Sequence, residues 1–106
     1  MAKNELLART SDVELEEAFE EAFDDLASNH DVTSYDFSVE RGVGDDAMVS
    51  VVVHVTAMDT CPTPDEFRSN EELQTLTVEV KGQDVEFTVT EVLVINNLDY
   101  DVSYGA

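Results

Sequence analysis

The stretch VELEEAFEEAFDDL, residues 13–26, decides the first element of the fold. Its apolar residues recur at steps of three and four, which is the spacing of one face of an α-helix. Ser11 followed by Glu14 predicts a capping box at the helix start, and Asn29 predicts a left-handed residue near its end. We therefore expect an amphipathic helix with one apolar stripe. The stripe consists of Leu15, Ala18, Phe19, Ala22, Phe23 and Leu26.

The other face of this helix carries negative charges only. The stretch holds seven carboxylates and no positive charge. Pairs four residues apart, such as Glu17–Glu21 and Glu21–Asp25, repel each other and each cost roughly 0.2–0.5 kcal/mol in dilute buffer. At molar salt the Debye length falls to about 3 Å, and most of this cost disappears. The helix therefore predicts a working environment of high salt.

The acidic bias of this helix extends over the whole chain. Its 106 residues contain 25 Asp and Glu against 5 Lys and Arg, for a net charge of −20, and valine is its commonest apolar residue. This composition resembles that of proteins from salt-in halophiles, where carboxylates keep a surface hydrated. The resemblance implies a cytoplasmic or virion location in a high-salt host. Such a charge argues against direct nucleic-acid binding and against binding to a membrane, because phosphates and anionic lipids both require a basic surface.

Alternating apolar and polar residues predict β-strands in the rest of the chain. Residues 35–41 and 47–58 alternate and are separated by a glycine-containing turn at 42–46. Residues 75–80 and 85–95 alternate as well, with Gly82-Gln83 predicted as the tight turn between them. In the last of these strands the apolar phase shifts by one residue, which predicts a β-bulge near Thr90-Glu91 or a strand covered on both faces.

A short helix is predicted between the second and third strands. Thr63, Pro64 and Glu66 match an N-cap, a proline at the first helical position and the closing residue of a capping box. We expect this helix to cover residues 64–69 and to be anchored by Phe67.

The C-terminal residues 98–106 have two interpretations. Tyr100, Val102 and Tyr104 alternate with polar residues, as in a β-strand. This strand either closes the domain's own sheet or adds to the sheet of a partner, where tyrosine is a favoured contact residue. We name Phe67, Tyr100, Val102 and Tyr104 as candidate partner contacts.

Together these elements predict an α+β fold. One amphipathic N-terminal helix packs on a four- to five-stranded, mainly antiparallel sheet in two layers, with one short helix in the connection between the second and third strands. We expect a flexible segment at residues 1–10, a single domain at 11–97, and a C-terminal strand or partner-binding tail at 98–106.

The sequence contains no motif that fixes a reaction. His54, Asp59 and Cys61 form the only metal-like group, and a packed histidine in a strand is the simpler interpretation of His54. The spacing Asn97-Asp99-Asp101 is similar to the opening of a calcium loop but lacks the glycine and distal glutamate that such a loop needs. We predict no catalytic, metal-binding or cofactor-binding residue.

Three classes of function remain. The first is a non-enzymatic subunit of a larger protein assembly, a homo- or hetero-oligomer, for example a head-tail connector or tail-completion protein of a virion. The second is an enzyme or small-ligand binder that resembles cystatin-like or NTF2-like domains. It would need a cavity between the helix and the sheet, and His54 or Tyr35 lining that cavity would favour it. The third is an acidic mimic of DNA that inhibits a basic nucleic-acid-binding protein.

Overall fold

The structure is a computed structural model that describes residues 3–42, 49–57, 61–96 and 98–106. It confirms the α+β class, with a long helix packed on an antiparallel sheet and a short helix between the second and third strands; the two-layer arrangement is compatible with it. The elements in chain order are α1 (Lys3–Ala8), α2 (Asp12–Asn29), β1 (Tyr35–Arg41), β2 (Val49–Thr56), α3 (Pro64–Ser69), α4 (Glu71–Gln74), β3 (Thr75–Val80), β4 (Gln83–Val94) and β5 (Asp99–Gly105).

The sheet is curled and has the spatial order β1-β2-β5-β4-β3, with every neighbouring pair antiparallel. The last strand of the chain therefore lies in the middle of the sheet, where it pairs with β2 on one side and β4 on the other. Of the two interpretations of the C-terminal residues, the structure shows the strand that completes the domain's own sheet.

The core lies between α2 and the concave face of the sheet, and aromatic rings fill it. The ring centroid of Phe19 lies 5.5 Å from those of Phe37, Phe87 and Tyr104, and 6.2 Å from that of Phe23. The predicted stripe of α2 provides the helix side of this cluster, because period-3.6 spacing keeps its apolar residues on one face. β2 provides a matching row of inward valines. This row is Val49, Val51, Val53 and Val55.

The predicted ends of α2 are partly correct. The Ser11 hydroxyl accepts a hydrogen bond from the Glu14 backbone N–H, as an N-cap should. The left-handed residue at the other end is Asp31, with φ 59°, and the prediction of Asn29 was wrong. Asn29 still belongs to the helix, and the turn closes when the Val32 N–H donates to the Ala27 carbonyl. This bond requires the left-handed residue directly before Val32.

The first ten residues contain a helix that the sequence pattern did not predict. In α1, Leu6 and Leu7 are buried in the core. The Arg41 guanidinium, at the end of β1, donates to the carbonyl oxygens of Leu7 and Thr10 at 3.0 and 2.6 Å. A segment of six residues is too short to be helical on its own, so these tertiary contacts are what stabilise it.

The strand predictions agree with the structure apart from one turn. The loop between β3 and β4 is Lys81-Gly82, with Val80 paired to Gln83, so the predicted loop was one residue too late. Both loop residues have positive φ, 51° and 79°, which is the pattern of a type I′ turn rather than a turn with glycine first. The predicted bulge is confirmed, since the β4–β5 register shifts between Val89 and Glu91.

The short helix α3 has the predicted start. Thr63 and Glu66 form a reciprocal capping box, and Pro64 occupies the first turn. Phe67 is fully buried and anchors the helix. The single turn α4, which follows directly, was not predicted. Residues 43–48 and 58–60, which include most of the predicted turn at 42–46 and the ends of the predicted second strand, lie outside the described residues.

Candidate interaction surface

Four large apolar side chains are exposed together where β4 turns into β5. Their exposed fractions are 54% for Leu93, 52% for Val94, 52% for Ile95 and 63% for Leu98. We call this group the apolar tip. In the described part of the chain, Val13 on α2 is the one other large apolar residue with comparable exposure. Several exposed apolar side chains at one end of a hairpin, on both of its faces, make this end a candidate contact surface.

Backbone pairing fixes the position of the apolar tip. Leu93 lies opposite Asp101, and Val94 lies opposite Tyr100. The Ile95 N–H donates to the Asp99 carbonyl at 3.0 Å, and this bond continues the ladder past the end of the strand. The bulge before Glu91 sets which side chain of β4 faces out, and it turns Leu93 to the outer face of the sheet. Leu93 and Val94 are therefore held in the sheet ladder, and Ile95 and Leu98 lie in the connection that directly follows it.

A row of polar residues crosses the outer face of the sheet and ends at the apolar tip. In register, Asp36 of β1 lies opposite His54 of β2, His54 opposite Asp101 of β5, and Asp101 opposite Leu93. The His54 Nδ1 lies 2.6 Å from an Asp101 carboxylate oxygen, and its Nε2 lies 3.5 Å from one of Asp99. The hydrogen bond to Asp101 raises the pKa of His54 above its ordinary value, and the negative charges of Asp101, Asp99 and Asp36 act in the same direction.

The four candidate partner contacts lie in the interior of the domain. Phe67, Val102 and Tyr104 are fully buried and Tyr100 is 2% exposed. The Tyr100 hydroxyl donates to the Pro62 carbonyl, and the Tyr104 hydroxyl donates to the carbonyl of Leu73. Burial raises the pKa of both tyrosines. In this fold these side chains face the domain's own core, so a partner would meet other residues first.

The buried position of these four residues has a physical reason. Alternation along residues 98–104 shows that one face of the strand is buried, but it does not show which molecule buries it. Because β5 is inserted between β2 and β4, α3 and the Phe19 cluster supply that cover from within the chain. A signal for the apolar tip was present in the sequence. The run Leu93-Val94-Ile95 puts apolar residues on both faces of a strand end, which a one-sided core cannot cover.

The histidines and the cysteine, which are the side chains best suited to metal binding, do not converge in the structure. His54 is on the outer face of the sheet, whereas the Cys61 thiol donates to the Asp31 carbonyl near the end of α2. His30 lies 3.2 Å from Glu72, apart from both. Among the described residues, no group of three or more His, Cys, Asp or Glu side chains is placed to hold a metal ion. Asp59 and Asn97, from the two motifs considered above, lie outside the described residues.

The space between α2 and the sheet, where a cystatin-like or NTF2-like binder would hold its ligand, is occupied by the Phe19 cluster. The Tyr35 ring packs against those of Phe23 and Phe37, with centroids 5.0 and 5.4 Å away. Its hydroxyl donates to Asp24 of α2 at 2.5 Å, and this bond raises its pKa to about 12. A groove of about 300 Å³ lies instead on the surface between α2 and β3, and its walls include the carboxylates of Glu21, Asp25 and Glu79.

Comparison with known proteins gives no assignment. No protein family matches the chain, and no curated protein or solved structure shows significant similarity to it. None of the helices in the described segments has the length and hydropathy needed to cross a bilayer. The surface of this molecule is therefore the feature from which a function is inferred.

Proposed function

We propose that this protein is a non-enzymatic subunit of a larger protein assembly that works at high salt. The observation that carries the proposal is the apolar tip, where Leu93, Val94, Ile95 and Leu98 are each more than half exposed. Covering such side chains with a partner removes apolar area from water, at about 25 cal/mol for each Å². The surrounding polar and acidic residues fit the polar rim that commonly borders an apolar contact.

The arrangement of positive charges supports the high-salt part of the proposal. Arg41 bonds to Asp12 and to carbonyls of the α1–α2 junction. Arg68 bonds to Asp65 and to the Val92 carbonyl, and Lys81 lies 3.3 Å from Glu14. These three cations connect elements of the fold, which leaves most carboxylates to be balanced by solvent ions. A salt-in cytoplasm or the virion of a virus from such a host would provide those ions.

A head-tail connector or tail-completion protein of a virion is the most specific form of this proposal. It rests on the small size of the domain, on the β4–β5 hairpin and on the apolar tip at its end. An enzyme or small-ligand binder is less well supported, because aromatic rings fill the space where its ligand would lie. An acidic DNA mimic is less well supported as well, because a surface that imitates a duplex has no use for an apolar tip.

The test is the molar mass of the protein in solution, measured by light scattering after size-exclusion chromatography. The wild type is compared with the double variant Leu93→Ser, Ile95→Ser from about 0.1 M to about 3 M KCl, a range over which the Debye length falls from about 10 Å to below 3 Å. Val13→Ser is the matched control, because Val13 is 65% exposed but lies on α2.

We expect the wild type and Val13→Ser to form an oligomer in molar KCl and the double variant to stay smaller. Circular dichroism on the same samples verifies that all three remain folded. If the double variant has the same mass as the wild type in every buffer, the apolar tip is not the assembly surface.

A further inference from the structure

The strand β1 has one paired and one unpaired edge. It stands at one end of the strand order, and β2 is the strand that pairs with it over its full length, from Tyr35 opposite Val55 to Arg41 opposite Val49. Within the described residues, no second strand lies beside β1. An unpaired edge presents backbone donors and acceptors that another chain can bind.

The hydrogen-bond pattern identifies which groups face away from the sheet. The Thr56 N–H donates to the Ser34 carbonyl, so Ser34 faces β2. In an antiparallel pair the direction of these groups alternates along the strand. The backbone N–H and C=O groups of Tyr35, Phe37 and Val39 therefore point outward, together with those of Arg41. β1 therefore has four residues whose backbone groups can bind an added strand. Because these residues occur at every second position, the added strand would be about seven residues long.

The other two unpaired edges of the sheet, on β3 and at the end of β4, each have a neighbouring element beside them. The outer side of β3 faces α2 across the groove that Thr77 and Glu79 line. Where β4 extends beyond its pairing with β3, the Arg68 guanidinium donates to the Val92 carbonyl at 3.1 Å. Each of these edges therefore has another element of the fold beside it, whereas no such element is seen beside the outer edge of β1 among the described residues. β1 is the edge best suited to strand addition.

The side chains of β1 specify the chemistry of an added strand. Asp36 and Glu40 are exposed on the outer face of the sheet, while Phe37 and Val39 are half-buried on the inner face. Residues directly opposite each other on neighbouring strands interact, and opposite charges are favoured there. A complementary strand would carry Lys or Arg on one face and apolar residues on the other.

We propose that β1 binds an extended segment of a partner protein by strand addition, and that this segment alternates basic and apolar residues. Backbone hydrogen bonds would supply affinity, and the two faces of β1 would supply specificity. The site lies at the β1 edge of the sheet, three positions from β4 and two from β5 in the strand order, so it is a separate surface from the proposed assembly contact.

A second copy of this chain fits β1 less well than such a segment. If two copies of β1 paired antiparallel over their full length, Asp36 of each copy would lie opposite Glu40 of the other. Such a dimer would therefore contain two like-charge pairs. Like charges placed directly opposite each other destabilise a strand pair. A basic and apolar segment removes the repulsion and satisfies the same backbone groups.

The experiment uses a fluorescent nine-residue peptide in which lysine and valine alternate, and measures binding by anisotropy. It is done at the lowest KCl concentration at which circular dichroism shows the native fold. Val39→Pro is the decisive variant, because it removes one outward N–H and no bond of the β1–β2 ladder. Val39→Ala is its matched control, since it shortens the side chain and keeps the N–H.

We expect Val39→Pro to weaken peptide binding by about tenfold or more, because a lost backbone bond and a clash with the proline ring act together. Val39→Ala should bind within about threefold of the wild type. The double variant Asp36→Lys, Glu40→Lys should prefer a peptide that alternates glutamate and valine.

Two results would overturn the proposal. Equal binding of the lysine peptide to the wild type and to folded Val39→Pro would mean that the peptide is held by general attraction to the acidic surface. Slow hydrogen exchange at the Phe37 and Val39 amides in the free protein would mean that the β1 edge is already covered. Neither result depends on whether the apolar tip forms an assembly.

Discussion

His54 and Asp101 face each other across the two neighbouring strands β2 and β5, with the His54 Nδ1 2.6 Å from an Asp101 carboxylate oxygen. This pair lies on the outer face of the sheet and beside Leu93 of the apolar tip. The bond joins β5, the C-terminal strand in the middle of the sheet, to β2, which lies next to the edge strand β1. Its strength depends on the charge of the imidazole, which makes the fold sensitive to pH.

The first prediction is the direction of that pH dependence. The pKa of His54 is raised in the folded state, first by the hydrogen bond to Asp101. A raised folded pKa means that the stabilisation is complete below the unfolded pKa of about 6.5 and is lost as the pH rises through the folded pKa. His54→Gln should therefore reduce the free energy of unfolding more at pH 6 than at about pH 8.5.

The measurement is urea unfolding of the wild type and His54→Gln across this pH range at one salt concentration. Comparing the two proteins cancels the titration of His30 and of the carboxylates, which both proteins share. Asp101→Asn should show the same pH trend, because it removes the charged partner. A difference between wild type and His54→Gln that does not vary with pH would contradict the prediction.

The second prediction concerns the aromatic centre of the core. Phe19 is fully buried and lies against rings from α2, β1, β4 and β5. Phe19→Ala should lower the free energy of unfolding by about 3–5 kcal/mol, the range for removing a buried phenylalanine. The exposed Val13→Ala, on the same helix, should change it by less than about 0.5 kcal/mol. Thermal unfolding in molar KCl compares the two, and similar midpoints would show that α2 is not packed as described.

The third prediction concerns Arg41, which holds the α1–α2 junction. Its guanidinium bonds to Asp12 at 2.7 Å and to the carbonyl oxygens of Leu7 and Thr10. Arg41→Gln cannot reproduce this forked set of donors. It should cost about 1–3 kcal/mol, because part-buried carbonyls lose their partners.

Hydrogen exchange locates this effect within the chain. In Arg41→Gln the amides of α1 should exchange faster, while those of β2 and β5 should change less, since α1 is held by few contacts. Arg9→Gln is the control, as it removes the same charge from an exposed position. Equal acceleration in α1 for both variants would indicate that net charge, rather than the Arg41 contacts, stabilises this helix.

Local patterns in the sequence were sufficient to predict much of this fold. They were not sufficient to predict α1. Periodicity predicted α2 and the strands, because burial of one face imposes it directly. The capping box of α3 was predictable because Thr63 and Glu66 interact within one turn. In contrast, α1 depends on Arg41, more than thirty residues away, so no local pattern indicates it.

The candidate surface was harder to predict than the fold. Tyr100, Val102 and Tyr104 have the alternation of a half-buried strand whether the cover is internal or comes from a partner. Only the strand order, with β5 between β2 and β4, decides between these possibilities. The same holds for β1, whose role as an edge follows from pairing across the whole sheet and not from its own residues.

The last prediction returns to the acidic face of α2. Glu17, Glu21 and Asp25 are all exposed and lie four residues apart. Glu21→Gln removes two like-charge pairs and should raise the free energy of unfolding by about 0.4–1 kcal/mol in dilute buffer. In about 3 M KCl the gain should largely vanish, because the Debye length is then shorter than the distance between the carboxylates.

Glu14→Gln is the matched control on the same helix, because the Glu14 carboxylate lies 3.3 Å from the Lys81 ammonium. Losing this attractive pair should reduce stability at low salt, by less than about 1 kcal/mol for a pair so exposed. The two variants should therefore shift the urea midpoint in opposite directions at low salt and converge at high salt. If Glu21→Gln lowered the free energy of unfolding at low salt, like-charge repulsion along α2 would not be what destabilises the protein in dilute buffer. Composition alone would then indicate a high-salt environment.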